Sequence, residues 1–118
     1  MEDTSVTITI EQAPSIPNLK IITIRGSFDT VTTKQVDERV LPVIEKEKSN
    51  IILDISNLEY LSSIGILRLI KYFKFMSNEM RLLKFVKPPK HIYNTLRTAG
   101  IAKYFDFFDS LEEAISSF

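Results

Sequence analysis

Ile51-Ile52-Leu53-Asp54-Ile55-Ser56-Asn57-Leu58-Glu59-Tyr60-Leu61-Ser62-Ser63-Ile64-Gly65 is the stretch that decides the fold. Its first five residues form a nearly unbroken apolar run. Such a run suits a central strand covered on both faces. Ser56-Asn57 reads as a turn, and Ser62-Ser63 precedes a helical pattern over 64–77. The stretch is therefore a buried strand handing over to a helix.

Working outward, the segment 6–10 alternates apolar and polar residues, as a half-buried strand does. The β-branched segment 19–25 predicts a second strand, antiparallel to the first and ended by Gly26. Thr32 or Thr33 can cap a helix with apolar positions Val36, Val40, Val43 and Ile44. Pro42 lies inside that pattern and predicts a kink or a helix in two pieces, because proline lacks an N–H and clashes with the preceding turn. A short strand is expected over 81–86, a helix over 89–99 and an edge strand over 105–108. Asp109 or Ser110 can cap a last helix over 111–118. Alternation of strands and helices after a starting hairpin implies an α/β fold. The expected sheet is mixed and mostly parallel, with four to five strands and about four helices packed mainly on one side.

The chain has 118 residues, with 44% apolar and 25% charged. These values fit one compact domain over 1–118 and argue against wholesale disorder. With no cysteine, disulfides, thiolate metal sites and a cysteine nucleophile are excluded. One histidine, His91, excludes a multi-histidine metal site. The acidic start, MEDTSVTITI, has neither the basic nor the apolar region of a signal peptide. No apolar stretch is long enough to cross a membrane, so no membrane insertion is expected. A cytoplasmic location is the expectation.

The net charge of zero hides an uneven distribution. Residues 1–62 carry six bases and ten acids, a net of −4. Residues 63–104 carry nine bases against Glu79 alone, a net of +8. Two readings stand: a surface that attracts acidic partners, or lysines solvated on several faces.

Three segments together resemble the STAS domain family, the fold of bacterial anti-sigma-factor antagonists. Asp54, Ser56, Ser63 and Gly65 match an apolar strand ending in Asp-x-Ser, then a short loop and a Ser-x-Gly helix start. Gly26-Ser27-Phe28-Asp29 resembles the turn before the family's first helix. Thr98-Ala99-Gly100-Ile101-Ala102-Lys103-Tyr104-Phe105, with Asp109-Ser110-Leu111-Glu112-Glu113-Ala114, resembles its C-terminal signature.

The resemblance implies a non-enzymatic switch without a cofactor. Its partner is an anti-sigma factor with serine-kinase activity, which the unphosphorylated form sequesters, thereby releasing a sigma factor. Ser63 holds the phosphorylated position, with Ser62 as second choice. A helix-capping role for either serine is the other reading. Asp29 either contacts the partner or caps the first turn. Two residues depart from the family pattern: Ser62 stands where an acid is usual, and Ile64 where a small residue is usual. STAS domains also act as interaction modules in larger signalling assemblies or lipid-transport systems, where the serine is not phosphorylated. A monomer or weak dimer is expected.

Helical periodicity assigns Ile66, Leu67, Leu69, Ile70, Phe73 and Met76 to the core. It turns Ile64, Arg68, Lys71 and Phe75 outward, with Tyr72 flanking. An outward face mixing apolar and basic side chains suits partner contact. With Asp29, Ser62 and Ser63, those four outward residues form the candidate interaction site. The alternative has Tyr72 and Phe75 tucked under neighbouring segments.

Enzyme classes fit poorly. Leu61 replaces the first glycine of a Gly-x-Ser-x-Gly elbow, and His91 opens a different helix. Asp54 lacks the paired acids of a receiver domain, and no P-loop is present. Direct nucleic-acid binding is not expected, since neither a stacking motif nor a recognition helix accompanies the basic region.

Overall fold

The computed structural model describes residues 5–118; of the acidic start, Met1 to Thr4 lie outside the described residues. The strands are β1 (Val6–Gln12), β2 (Leu19–Phe28), β3 (Asn50–Asp54), β4 (Leu58–Leu61), β5 (Leu83–Val86) and β6 (Asp106–Phe108). The helices are α1 (Thr33–Pro42), α2 (Ser63–Asn78), α3 (Lys90–Thr98) and α4 (Leu111–Ser116).

The sheet runs β1-β2-β3-β5-β6. β1 pairs antiparallel with β2, and the remaining pairs along this path are parallel. The apolar run is buried on both faces for a simple reason. Ile51, Leu53 and Ile55 join the main core with residues of α1, α2 and α3, whereas Ile52 points to Leu19, Ile21, Val86 and Ala114 of α4. Three helices thus cover one face and the short α4 covers the other.

Three strands differ from the sequence reading, two of them together. β2 does not stop at Gly26 but runs on to Phe28, and β4 is a strand that the turn reading passed over. The two are linked. β3 pairs with Leu19 to Thr23 only, and β4 takes up the same side of β2 further along, with Ser27 opposite Tyr60 and Phe28 opposite Leu61. The register shifts between Gly26 and Ser27. Gly26 has φ +93°, and a side-chain carbon there would lie 2.5 Å from the Ser5 carbonyl oxygen. Only glycine fits such an irregularity without strain.

Pro42 acts as its chemistry dictates. α1 ends on it, and a π-helical turn, Val43–Glu47, carries the chain on to Lys48. The fifth strand begins at Leu83, two residues later than the sequence pattern suggests.

Candidate functional site

The long β2 and the added β4 end side by side, and there the chain turns into α1 and α2. The Ser62 N–H donates to the Phe28 carbonyl at 3.0 Å, so the start of α2 is tied to the residue before Asp29. Gly65 allows the close approach. A Cβ at that position would lie 2.7 Å from both Leu61 Cδ1 and the Phe28 carbonyl oxygen.

The two serines have different surroundings. Ser62 is the N-cap: its Oγ accepts from the Gly65 N–H at 3.3 Å and lies 3.4 Å from the Phe28 carbonyl oxygen, to which it donates. Ser63, the first residue of the helix, is exposed, and its hydroxyl makes no hydrogen bond among the described residues. Capping and exposure therefore fall to adjacent residues.

Asp29 builds the neighbouring turn. Its Oδ1 accepts from the backbone N–H of Val31 at 2.9 Å and of Thr32 at 3.1 Å. The buried Thr32 hydroxyl donates to the Ser27 carbonyl at 2.7 Å, and the Thr33 hydroxyl donates to the Asp29 carbonyl. This is the local side-chain hydrogen bonding by which aspartate organises turns. Asp54 does the same after β3, accepting from the Ser56 N–H at 3.0 Å and its hydroxyl at 2.7 Å.

The face of α2 is rotated from the sequence reading. Gly65, Leu69, Tyr72 and Met76 are its buried positions. Leu67, expected in the core, is 58% exposed, and Tyr72, expected on a flank, is 1% exposed. The spacing of four, three and four residues is a regular helical stripe, but it begins at a glycine whose lack of a side chain hides that position from a hydrophobicity pattern.

Ile64 and Arg68 line a groove of about 630 Å³ between α1 and α2, facing Lys34, Asp37 and Leu41. Arg68 Nε stands 3.3 Å from Asp37 Oδ2, and the Tyr72 hydroxyl donates to Asp37 Oδ1. Asp37, absent from the candidate residues, is thus the acid that joins the two helices. The buried Tyr72 hydroxyl is held protonated, its pKa pushed far up by desolvation first and by the hydrogen bond to Asp37 second. Arg68 is committed within the fold, whereas Lys71 is exposed and makes no ion pair among the described residues. Phe75 is half-buried and packs against the main core, which is the tucked arrangement and not an outward one.

His91 opens α3, and its Nε2 lies 2.8 Å from the Glu59 carbonyl oxygen. Among the described residues no group of three histidines or carboxylates could hold a metal ion, and no helix is long and apolar enough to cross a membrane.

A mixed sheet with its chemistry gathered where β2 and β4 hand over to helices defines a recognisable class. The STAS domain family model matches residues 7–114, and the chain belongs to that family. The fold is shared with an anti-sigma factor antagonist from Mycobacterium paratuberculosis, at TM-score 0.86 and 19% identity over 98% of this chain and 96% of the other. It is shared with the unphosphorylated anti-sigma factor antagonist SpoIIAA, at TM-score 0.76 and 15% identity, covering 94% of this chain and 95% of the other. The phosphorylated form of the Bacillus cell fate determinant SpoIIAA aligns at TM-score 0.73 and 15% identity, covering 94% and 98%. No curated protein matches the chain.

Proposed function

We propose that the chain is an anti-sigma-factor antagonist acting in the cytoplasm, a non-enzymatic switch whose binding of an anti-sigma factor is ended by phosphorylation of Ser63 by that partner's serine-kinase activity. The observation that carries this reading is the exposed Ser63 hydroxyl, free of hydrogen bonds among the described residues while Ser62 caps the helix. A kinase needs an accessible hydroxyl that can be modified without dismantling the fold. A helix N-terminus tolerates the added charge of about −1.5 to −2, because its N–H groups and dipole favour an anion. The shared fold with SpoIIAA, seen both unphosphorylated and phosphorylated, supports the same use of the domain.

The two departures from the family pattern have physical consequences. Serine and aspartate are about equally good N-caps, so Ser62 keeps the capping bond and removes only a negative charge. Ile64 lines the groove toward α1. Both changes alter what a kinase meets beside Ser63. They favour, as a second reading, an unphosphorylated interaction module with the same fold.

The test uses the anti-sigma factor recovered by pull-down from the native cell. Ser63→Asp should fold as the parent does and bind at least about tenfold more weakly, a difference of about 1.4 kcal/mol. Ser63→Ala should bind as the parent does. Lys71→Glu should slow association at low salt and flatten its salt dependence, because an exposed charge at a contact acts mainly on the on-rate. Equal affinity of Ser63→Asp and the parent would defeat the switch.

A further inference from the structure

On the flank of α2 away from α1, Ile70, Phe73 and Lys74 face Ile101, Tyr104 and Phe105 across a cleft of about 370 Å³. Its floor is fixed. Phe105 is buried, with its ring centroid 4.5 Å from Phe85 in a stacked pair and 5.2 Å from Phe73. These contacts anchor the floor to β5 and α2, so the cleft exists before anything fills it, and a preformed apolar recess lowers the ordering cost of binding. Its rim is open and amphipathic. Tyr104 is 62% exposed, with Lys103 Nζ 5.3 Å from its ring centroid, and Leu67 stands exposed two helical turns before Lys74.

Two lysines stand at this cleft, and the acid nearest to it in sequence, Asp106, pairs with neither. Among the described residues the ion pairs use Lys20, Lys48, Arg68 and Arg81. Lys74 and Lys103 are exposed and have no ion-pair partner. Glu79, the sole acid between residues 63 and 104, is already engaged: hydrogen bonds from Lys48 and Arg81 hold its carboxyl below the usual range. Apolar surface framed by unpaired cations matches the reverse pattern on a partner, an apolar anchor among carboxylates.

We propose that this cleft docks an acidic amphipathic segment of a partner protein. One large apolar side chain of that segment enters between Phe73 and Tyr104, and its carboxylates meet Lys74 and Lys103. The rim extends along α2 toward Leu67, which suits a length of chain lying on the helix better than a compact small molecule. Lys74 is eleven residues beyond Ser63 on the same helix, about 16 Å along its axis. The docking is therefore separate from the modification site and does not depend on phosphorylation.

The methyl groups of Ile70 and Ile101 report on the cleft and that of Ile64 on the α1–α2 groove. The intact chain, labelled at isoleucine methyls, is titrated by NMR with a synthetic amphipathic peptide bearing one phenylalanine among glutamates. Two control peptides carry lysines for the glutamates, or serine for the phenylalanine. The expected result is movement of the Ile70 and Ile101 signals with the first peptide and an unmoved Ile64. Combining Lys74→Glu with Lys103→Glu should weaken binding at least about tenfold. Tyr104→Ser should weaken it about fivefold at unchanged melting temperature. The proposal is overturned if no peptide moves Ile70 and Ile101, if the lysine peptide binds as tightly, if only Ile64 moves, or if phosphatidylglycerol vesicles move the cleft signals and the acidic peptide does not.

Discussion

Gly65→Val should destabilise the fold by about 3 kcal/mol and displace the start of α2. The first added carbon would stand 2.7 Å from Leu61 Cδ1 and 2.7 Å from the Phe28 carbonyl oxygen. The Leu61 methyl can turn aside. The carbonyl cannot, because it accepts from the Ser62 N–H at 3.0 Å and belongs to the strand pairing of Phe28 with Leu61. Valine then adds two γ-carbons to the same space. Gly65→Ala should lose less, since alanine gains about 1 kcal/mol over glycine in a helix and offsets part of the clash. Urea unfolding measures both. With a slope of about 2 kcal/mol/M, the valine midpoint should fall by about 1.5 M. An unshifted valine midpoint would mean that α2 does not approach the end of β2 this closely. Because Ser63 is carried by the same helical turn, partner binding should fall with stability in the valine variant.

Phe85→Ala should destabilise by about 3–5 kcal/mol, the largest effect expected of a single truncation here. Phe85 is fully buried on β5, between β3 and β6. Its ring stacks on Phe105 at 4.5 Å and tilts against Phe107 at 5.5 Å. Truncation removes the transfer energy of the ring, leaves a cavity that neighbouring strands cannot close, and loses two aromatic contacts worth about 0.5–1.5 kcal/mol each. Phe85→Leu fills most of the space and should lose less than half as much. A loss below about 1 kcal/mol for the alanine variant would contradict the placement of β5 as an inner strand between β3 and β6.

Much of this architecture is legible in the chain because local and tertiary demands agree. The run Ile51 to Ile55 is apolar on both faces, and the structure buries both faces. Pro42 removes a backbone donor, and the helix changes form beyond it. β4 is not legible for a physical reason. Leu58 and Leu61 are buried while Glu59 and Tyr60 are exposed, so the segment does not alternate as a strand should. It is extended because the second half of β2 offers unpaired backbone groups, and that depends on the length of another strand.

As candidates, the serines and Asp29 are legible through the family pattern, and the fold places Ser62 one hydrogen bond from the residue preceding Asp29. The roles of Leu67, Arg68, Tyr72 and Phe75 are not. The buried stripe starts at Gly65, which adds nothing to a hydrophobicity pattern, and the face is turned by about one position. Arg68 and Tyr72 are drawn inward by Asp37, a partner on a different helix. A pattern along one helix carries no information about an acid on another.

The central claim is that the exposed hydroxyl of Ser63, and not the capping hydroxyl of Ser62, receives phosphate. The most direct measurement incubates the chain, Ser62→Ala and Ser63→Ala with ATP and the anti-sigma factor drawn from the native cell, then locates phosphate by mass spectrometry. The account predicts phosphate on Ser63 in the parent and in Ser62→Ala, and none in Ser63→Ala. Phosphate on Ser62, undiminished labelling of Ser63→Ala, or no phosphate on any form would contradict it.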